Sequence, residues 1–431
     1  MRKFLILTMV MMLSPGIMPA QQMTIDGLLQ QVKDNSRKVK VGSEAVSVAQ
    51  HDIDIAKAQR LPDISAQLSL DYNGDGFLTD RDFSNFTHAD IPHFGNNFAL
   101  EASQAVYTGG ALSSGIRMAE IGKLKAEAGL QQTVQQTCFI ALGQYLELYK
   151  TDNQIRVLQH HIALTHKLID NVKAKCQQGT VLKNDITRYE LQLEDQKLQL
   201  EKLNNNRAII NHQLCTTIGG GERKITPDTA MICAVYAREG EGKWQSEASL
   251  ASPLLRQSAL DIELSRQQSR LAKSELMPKI AIVAADNLNG PILIEVPPIN
   301  KNFNYWYVGL GVKYDVSSLF KSNRKVKRAQ TAELQAAEQH RAMSDEVENA
   351  VQQAYTLYQQ SYTELATQQK SVQLARQNYD VISSRYLNQL ALVTDMIDAE
   401  NTRLSAELQE VNAHIGVAYA YYKMKYVSGT L

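Results

Sequence analysis

The feature of this sequence that most restricts its fold is an internal duplication. A helical segment ends at Leu61-Pro62 and leads into a stretch of alternating polar and apolar residues, and the same order starts again at Met277-Pro278. Each copy continues with a second strand-like segment and a pair of long helical segments. Two copies with one order of elements pack together as a pseudo-symmetric body, so chain length alone does not set the number of domains. We therefore divide the chain into a signal peptide (1–20), a first repeat (21–218), an irregular insert (219–248) and a second repeat with the C-terminal tail (249–431).

The N-terminus has the residue order of a secretory signal peptide. Basic residues in Met1-Arg2-Lys3 precede an apolar stretch from 4 to 13, and Ala20 offers a cleavage point. The apolar stretch is too short to cross a bilayer as a helix, which leaves a short buried helix as the alternative. The sequence therefore predicts export from the cytoplasm.

Charge balance and motif content argue against several classes of function. Lysine plus arginine and aspartate plus glutamate number 45 each, so the composition does not indicate a nucleic-acid partner. No Ser-His-Asp set, catalytic cysteine context or nucleotide-binding loop stands out, so we expect neither an enzyme nor a cofactor. The cysteines contain no CxxC pair, and we expect them to be free, with a disulfide through the segment around residue 233 left open. They are Cys138, Cys176, Cys215 and Cys233.

Four segments alternate between polar and apolar residues and predict strands. They cover residues 64–72, 97–107, 279–287 and 302–316. After the N-terminal signal, no run of 18 uncharged apolar residues occurs, so any membrane crossing by this chain would use these strands. Four strands are too few to close a membrane barrel, because the smallest such barrels have eight. The chain therefore either oligomerises through these strands or uses them in a soluble sheet.

The segments between the strands predict unusually long helices. Residues 111–178 contain no proline, and residues 325–386 contain neither proline nor glycine. At 1.5 Å per residue these segments correspond to roughly 100 Å and roughly 90 Å of helix. Helices of this length need a partner along their whole surface, and the apolar positions of the following segments repeat at alternating steps of three and four. We expect two helical hairpins, with their turns near Gly179 and Gln389.

This duplicated order resembles the TolC-type outer-membrane efflux channel family over essentially the whole mature chain. Beside the two proline-marked strand starts, the matching segments are the strand exits Val106-Tyr107-Thr108-Gly109-Gly110 and Leu319-Phe320-Lys321-Ser322-Asn323, and the second turn Val393-Thr394-Asp395-Met396-Ile397-Asp398-Ala399. The resemblance implies a mainly α fold with a membrane β-barrel. It further implies a homotrimer, in which three sets of four strands form one 12-stranded barrel in the outer membrane of a Gram-negative cell and the helices form a tunnel across the periplasm.

The resemblance also implies a function and partners. The chain would be the trimeric outer-membrane channel of a tripartite efflux or type I secretion system. It would act as a passive exit duct, gated at its periplasmic tip, and would bind a periplasmic adaptor protein and an inner-membrane pump. The alternative is an exported soluble coiled-coil scaffold or adhesin that carries two small sheets.

Two aspartates near the second turn are the main candidate site. Asp395 and Asp398 are three residues apart and therefore share one face of a helix. By resemblance they would ring the periplasmic aperture of the trimer, where a set of carboxylates attracts cations. The alternative is an ordinary acidic helix start, which the helix dipole favours. The resemblance also places Tyr386 where a tyrosine helps to hold the closed tip.

The remaining tip residues depart from the family pattern. Ala391 stands in the position of a basic residue, so closure would use other groups, for which Arg385, Lys183 and Arg188 are the candidates. In the first copy Asp185 matches Asp395, but Arg188 replaces the second aspartate. The sequence thus predicts that only one of the two hairpins lines the constriction.

Two further groups of residues bear on metal binding. Asp71, Asn73, Asp75 and Asp82 have the spacing of a calcium-binding loop, yet the preceding segment predicts a strand instead of a helix. Ordinary turns at Asn73-Gly74 and Asp75-Gly76 are the alternative. For His160, His161 and His166 we expect solvated positions on a helix instead of metal ligation.

Overall fold

The computed structural model describes residues 22–228, 236, 239–295, 297–388 and 390–431. The predicted signal peptide and Cys233 lie outside these residues. The first repeat contains β1 (Gln22–Met23), α1 (Ile25–Asn35), α2 (Arg37–Ala58), β2 (Asp63–Tyr72), β3 (Gly76–Leu78), β4 (Thr87–Ala89), β5 (Phe94–Tyr107), α3 (Ala111–Gln177) and α4 (Lys183–Thr217). After β6 (Thr226–Pro227), the second repeat contains α5 (Glu241–Ala251), α6 (Pro253–Ser274), β7 (Lys279–Gly290), β8 (Phe303–Lys313), α7 (Ser318–Leu387) and α8 (Val393–Val427).

The two repeats agree in the lengths of their helices as well as in their order. Helices α1 and α5 each have 11 residues, α2 and α6 each have 22, and α4 and α8 each have 35. The long helices α3 and α7 have 67 and 70 residues, respectively. The predicted duplication, with its mainly α content and its four principal strands, is therefore confirmed.

The four long strands form one antiparallel sheet in the order β2-β5-β7-β8. Strand β5 begins at Phe94 and not at residue 97 as predicted, and β7 continues to Gly290. Strands β2 and β8 are the edges of this sheet. The inner pairing joins the two repeats, because β5 of the first pairs along its length with β7 of the second.

One face of the sheet is apolar and exposed. On this face Leu68 lies opposite Phe98, and Ile282 lies opposite Leu310. The side chains of Leu68 and Leu310 are 66% and 67% exposed. By strand alternation the opposite face carries Gln67 and Ser69 on β2 and Gly309 and Gly311 on β8, and β8 adds the aromatic Tyr305 and Tyr307 to it. A large exposed apolar surface of this kind indicates contact with a partner or with lipid.

The chain folds into two compact units, each of which takes segments from both repeats. The first unit includes the described residues up to Val41, together with Gln132–Ser252 and Val347–Leu431. Its core contains Leu28, Leu214 and Met424, and the hydroxyl of Tyr145 donates to the carbonyl of Met23 at 2.5 Å. The short strands β1 and β6 pair in parallel beside this bond.

The second unit comprises Gly42–Gln131 and Pro253–Glu346 and includes the sheet. Within it, ion pairs connect α6 to both long helices: Arg117 of α3 lies 2.7 Å from Glu263, and Arg266 lies 3.2 Å from Glu333 of α7. Each unit contains segments of both repeats, so the division into units does not coincide with our division into repeats. The repeat boundaries that we placed at 218 and 249 therefore stay a prediction.

Two further predictions concern the cysteines and the helices. Cys138, Cys176 and Cys215 are free thiols, as expected. Among the described residues, none of the helices combines the length and the apolar character that crossing a membrane requires.

Helices α4 and α8 end in the same backbone motif. At the end of α4, the amide of Gly220 donates to the carbonyl of Cys215 at 3.1 Å, and Gly219 has a φ of 71°. At the end of α8, the amide of Thr430 donates to the carbonyl of Lys425 at 2.9 Å, and Gly429 has a φ of 78°. These are Schellman motifs, in which a glycine adopts the left-handed conformation and satisfies the last helical carbonyls.

Close packing adds a second reason for glycine at both positions. A Cβ on Gly219 would collide with the carbonyl oxygen of Asn35, the last residue of α1. A Cβ on Gly429 would lie 2.7 Å from the carbonyl oxygen of Ala251, the last residue of α5. The same junction between a short helix and a 35-residue helix therefore occurs once in each repeat.

We predict that Gly219→Ala destabilises the protein by about 1 to 3 kcal/mol, the usual cost of a strained left-handed residue, and by more if α1 must shift. Thermal unfolding in detergent should show a lower midpoint. Gly221→Ala is the control, because a Cβ on Gly221 would meet no atom of the described residues within 4 Å apart from its chain neighbours, and its φ is not positive. Equal midpoints for the two variants would contradict the packing argument.

Candidate functional site at the ends of the helical hairpins

The ends of the two helical hairpins share one apolar core. Helices α3, α4, α7 and α8 all contribute to it, so the first hairpin packs directly against the second. Its buried members are Ile169, Val172, Tyr189, Leu193, Tyr386, Val393 and Met396. This core holds the turn regions, in which the sequence placed the candidate gate, in a defined arrangement.

Two tyrosines lie at the centre of this core. The side-chain hydroxyls of Tyr189 and Tyr386 are both buried, and neither has a hydrogen-bond partner of ordinary geometry within the described part of the chain. Burial raises the pKa of Tyr386; the nearby carboxylate of Asp185 raises it further, and the contact with Tyr189 lowers it in part. Burial also raises the pKa of Tyr189 well above its usual range. Both phenols are therefore neutral, and the ammonium of Lys175 lies 5.2 Å from the ring centre of Tyr386.

The two candidate gate aspartates have different surroundings. The carboxylate of Asp395 accepts a hydrogen bond from the amide of Leu392 at 3.0 Å. Leu392 is the N-cap residue of α8 and has no side-chain acceptor, so Asp395 closes the start of the helix in its place. Asp398 is exposed, and among the residues that the structure describes its carboxylate makes no hydrogen bond or ion pair. Asp395 thus has a structural role within its own chain, whereas Asp398 is available for contacts beyond it.

A groove between α4 and α8 brings several polar residues together. Arg188 and Asp195 line it from α4, and Thr394 and Asp398 line it from α8. Gln192 and Asn401 also line the groove, where the side-chain amide of Gln192 donates to Asn401 at 3.2 Å. The structure therefore brings Arg188 and Asp398, equivalent positions in the two repeats, to one groove.

The other predicted tip residues lie elsewhere. Asp185 is half-buried near Tyr386, and Arg385 is exposed. The carbonyl of Arg385 accepts the amide of Leu390 at 2.8 Å and so ends α7. Tyr386, which we predicted as part of a latch, is only 7% exposed. Its place in the shared core means that it supports the tip from inside.

A buried ionic network connects α3 to α8. The imidazole of His161 is fully buried, with Nδ1 2.6 Å from Glu400 and Nε2 3.0 Å from Glu407. Arg376 of α7 lies 2.9 Å from the second oxygen of Glu407, and Arg403 lies 3.4 Å from the second oxygen of Glu400. Three of the four long helices thus contribute charges to one cluster.

The network shifts the pKa values of its members in opposite directions. Burial by itself would lower the pKa of His161, but the hydrogen bonds to Glu400 and Glu407 outweigh it, and the net shift is upward. The hydrogen bond from His161 lowers the pKa of Glu407 to about 2, assisted by Arg376 and opposed by burial. His161 is therefore an imidazolium that lies between the carboxylates of Glu400 and Glu407. A buried charge of this kind is stable only while an opposite charge lies beside it.

Our prediction that His161 is solvated is wrong, while His160 and His166 are exposed as expected. The reason is the position of His161 on the side of α3 that faces α8. The separation of Glu400 and Glu407 by seven residues, two turns of one helix face, was the available signal. Nothing in the sequence connects that pair with a histidine 239 residues before Glu400.

The predicted calcium loop is not formed by the residues that we named. Asp71 belongs to β2 and pairs with Gly95 of β5, so the chain is extended where a calcium loop would turn. The side-chain amide of Asn73 donates to the carbonyl of Pro92 at 3.2 Å, and Asp82 accepts hydrogen bonds from Ser84. Asp71, Asp75 and Asp82 do not come together as a group of three ligands. The alternative, an ordinary turn at a strand end, describes this segment better.

Comparisons with known proteins give one consistent result. The model of a family described as outer membrane efflux protein matches residues 28–220 and 244–422. Outer membrane efflux protein BepC of Brucella suis biovar 1 (strain 1330) is 18% identical over 416 residues, which cover 95% of this chain and 86% of that protein.

Solved structures agree with the family match. The outer membrane protein VceC of Vibrio cholerae has a TM-score of 0.76 at 14% identity, over 94% of this chain and 96% of that chain. The MtrE outer membrane channel of Neisseria gonorrhoeae has a TM-score of 0.75 at 13% identity, over 94% and 89%. At these identities the likeness demonstrates a shared fold.

We predict that His161→Gln destabilises the protein by about 3 to 5 kcal/mol near pH 6, because Glu400 is left buried beside a neutral group. The pKa of His161 is raised, so its contribution is complete below 6.5 and is lost as pH rises through the folded-state pKa. The pKa of Glu407 is lowered from 4.5 to about 2, so its contribution is complete above 4.5 and is lost as pH falls towards 2. Both contributions are complete between pH 4.5 and pH 6.5, so the difference in unfolding midpoint between wild type and variant should be largest in this range.

The control for this prediction is His166→Gln, which makes the same change at an exposed position of the same helix. We expect it to leave the midpoint unchanged at every pH. A loss in His161→Gln that stays constant from pH 3 to pH 10 would mean that the ionic network does not contribute.

Proposed function

Since the chain belongs to the outer membrane efflux protein family, we propose that three copies of it assemble into one outer-membrane channel that acts as a passive exit duct. Family membership confirms the resemblance drawn from the sequence and places the protein in the outer membrane. It favours a channel over the exported scaffold or adhesin that we considered as the alternative, and the matched family is not a family of enzymes.

The observation that carries the proposed assembly is the sheet with two open edges and one exposed apolar face. Backbone groups in a bilayer have no water to bond, so β2 and β8 each need a neighbouring strand. Pairing β8 of one copy with β2 of the next satisfies both edges, and three copies would close a ring of twelve strands. The apolar face would then contact lipid, and the opposite face, with its polar side chains and glycines, would line the interior.

The proposed partners follow from the family and from the length of the helices. We propose that a periplasmic adaptor protein and an inner-membrane pump deliver the exported molecules, in an efflux or type I secretion system. Helices of 67 and 70 residues measure about 100 Å at 1.5 Å per residue, which suits a tunnel through an aqueous space. The helical hairpin ends would be the part of the tunnel that such partners contact.

At these ends we propose that Asp398 is the charged residue of the gate. Its exposed carboxylate, without a partner among the described residues, leaves it able to act across subunits, whereas Asp395 closes the start of α8. In a trimer, three Asp398 side chains would form a ring that attracts cations. Tyr386 would support the closed tip through the apolar core and not through its hydroxyl.

The proposed assembly is tested by the mass of the detergent-solubilised protein. We expect native mass spectrometry and light scattering to give three times the mass of the mature chain. We also expect precipitation when detergent is removed, because the apolar faces of the sheets lose their lipid-like environment. A monomer that stays dispersed without detergent would instead support the scaffold.

The proposed gate is tested by Asp398→Asn in planar bilayers. Cations bound between the three carboxylates would hold the pore narrow, so removal of the negative charges should raise single-channel conductance. Block by divalent cations should weaken about tenfold, which corresponds to about 1.4 kcal/mol per binding event. The control is Asp380→Asn, the same change at an exposed position of α7. If Asp398→Asn conducts and is blocked like wild type, Asp398 is not part of the gate.

A further inference from the structure

The connection between β2 and β5 carries a cluster of histidine and aspartate side chains that has no part in the proposed gate. Within this connection β3 and β4 form a small hairpin, in which Phe77 lies opposite His88 and Gly76 lies opposite Ala89. The rings of Phe77 and Phe86 pack at 5.6 Å. The backbone that carries the cluster is therefore a paired structure.

Three side chains of this hairpin converge on one point. The Nε2 atom of His88 lies 2.9 Å from a carboxylate oxygen of Asp90 and 3.8 Å from a carboxylate oxygen of Asp75. One nitrogen and two oxygen atoms, one from each residue, all lie within 4.8 Å of one another. Distances of this order suit a single cation bound among them, because a metal–ligand bond of about 2 Å separates two ligands by roughly 3 to 4 Å.

The strand geometry explains why these side chains meet. His88 and Asp90 are two residues apart along one extended segment, so their side chains point to the same face. Asp75 directly precedes Gly76, and the register of the hairpin brings it alongside the end of the facing strand, next to Asp90. The arrangement therefore depends on backbone pairing more than on the choice of side-chain rotamers.

A second histidine supports the cluster from the side of the sheet. The ring of His93 stacks on Tyr72 with centroids 5.3 Å apart, and its Nδ1 lies 3.0 Å from the carbonyl of Asn73. The same Nδ1 lies 3.9 Å from the second carboxylate oxygen of Asp75. Asp75 thus sits between two imidazoles, and the stacked His93 limits where its carboxylate turns.

We propose that Asp75, His88 and Asp90 form a binding site for a divalent transition-metal ion, of which Zn²⁺ is the representative. Imidazole is a preferred ligand of zinc, copper and nickel ions, whereas calcium and magnesium prefer sites made entirely of oxygen. Three protein ligands are the usual number where water completes the coordination. The side chain of His88 is 64% exposed, so the site is open to water and to ions from solution.

The alternative is that His88 and Asp90 are a surface ion pair. The chain offers a matched control, because His212 lies 3.0 Å from Glu222 with 66% of its side chain exposed and forms an ion pair with only this carboxylate among the described residues. His212, which has one carboxylate beside it, and His88, which has two, are thus exposed to nearly the same extent. Only the second should bind a metal ion with useful affinity.

The experiment is a Zn²⁺ titration of the full-length protein in detergent, without an affinity tag and after treatment with a chelator. Calorimetry and elemental analysis would be applied to wild type, His88→Asn, Asp75→Asn and His212→Asn. We expect one ion per chain in wild type and in His212→Asn, and at least tenfold weaker binding in the other two. Equimolar Ca²⁺ should not displace Zn²⁺.

Three results would overturn the proposal: no stoichiometric binding in wild type, equal binding in wild type and His88→Asn, or an equal loss in His212→Asn. Thermal unfolding without metal provides a check on folding. His88→Asn should unfold at the wild-type midpoint, so a loss of binding reports on the site itself. Added Zn²⁺ should raise the midpoint of wild type but not of His88→Asn.

Discussion

The unpaired edges of the four-stranded sheet are the constraint on which the proposed assembly depends. A backbone amide or carbonyl left unpaired in a bilayer costs several kcal/mol, and β2 and β8 each present a row of them. Within the chain the sheet has three strand pairings, and the central one, between β5 and β7, joins the two repeats. In the proposed ring the chain thus makes three of every four strand pairings itself and leaves the fourth to a neighbouring copy.

The duplication is preserved most closely where the backbone is most restricted. Gly219 and Gly429 end α4 and α8 with the same left-handed residue, against the last carbonyl of α1 and of α5. At the hairpin turns the repeats diverge, because Arg188 stands where the second repeat has Asp398. Backbone packing tolerates no side chain at the glycines, whereas the exposed turns accept either charge. The repeats therefore remain alike in architecture and differ in chemistry.

Sequence reasoning recovered the elements but not the contacts between distant ones. Proline-marked strand starts, period-two alternation and long segments without proline identified the four principal strands and both hairpins to within a few residues. The family resemblance identified Asp395 and Asp398 as a pair, but only the structure shows that Asp395 caps a helix whereas the carboxylate of Asp398 has no partner among the described residues. The prediction for His161 was wrong because the burial of a residue on a long helix depends on which side of that helix packs against a neighbouring helix. No local sequence pattern shows this side for a single polar residue.

The hairpin ends combine two kinds of contact with different responses to movement. Apolar contacts such as those of Val172 and Met396 are non-directional, so side chains can exchange neighbours at modest cost. The bonds of His161 to Glu400 and Glu407 are directional, and separating them would leave charges buried without partners, at a cost of about 3 to 5 kcal/mol. A rearrangement of the hairpin turns would therefore cost least if it left the bonds of His161 intact. Only the apolar contacts that lie between the ionic network and the turns would then change. If the proposed gate opens in this way, the ionic network would be the boundary of the part that moves, and the neutral tyrosines would lie on the moving side of it.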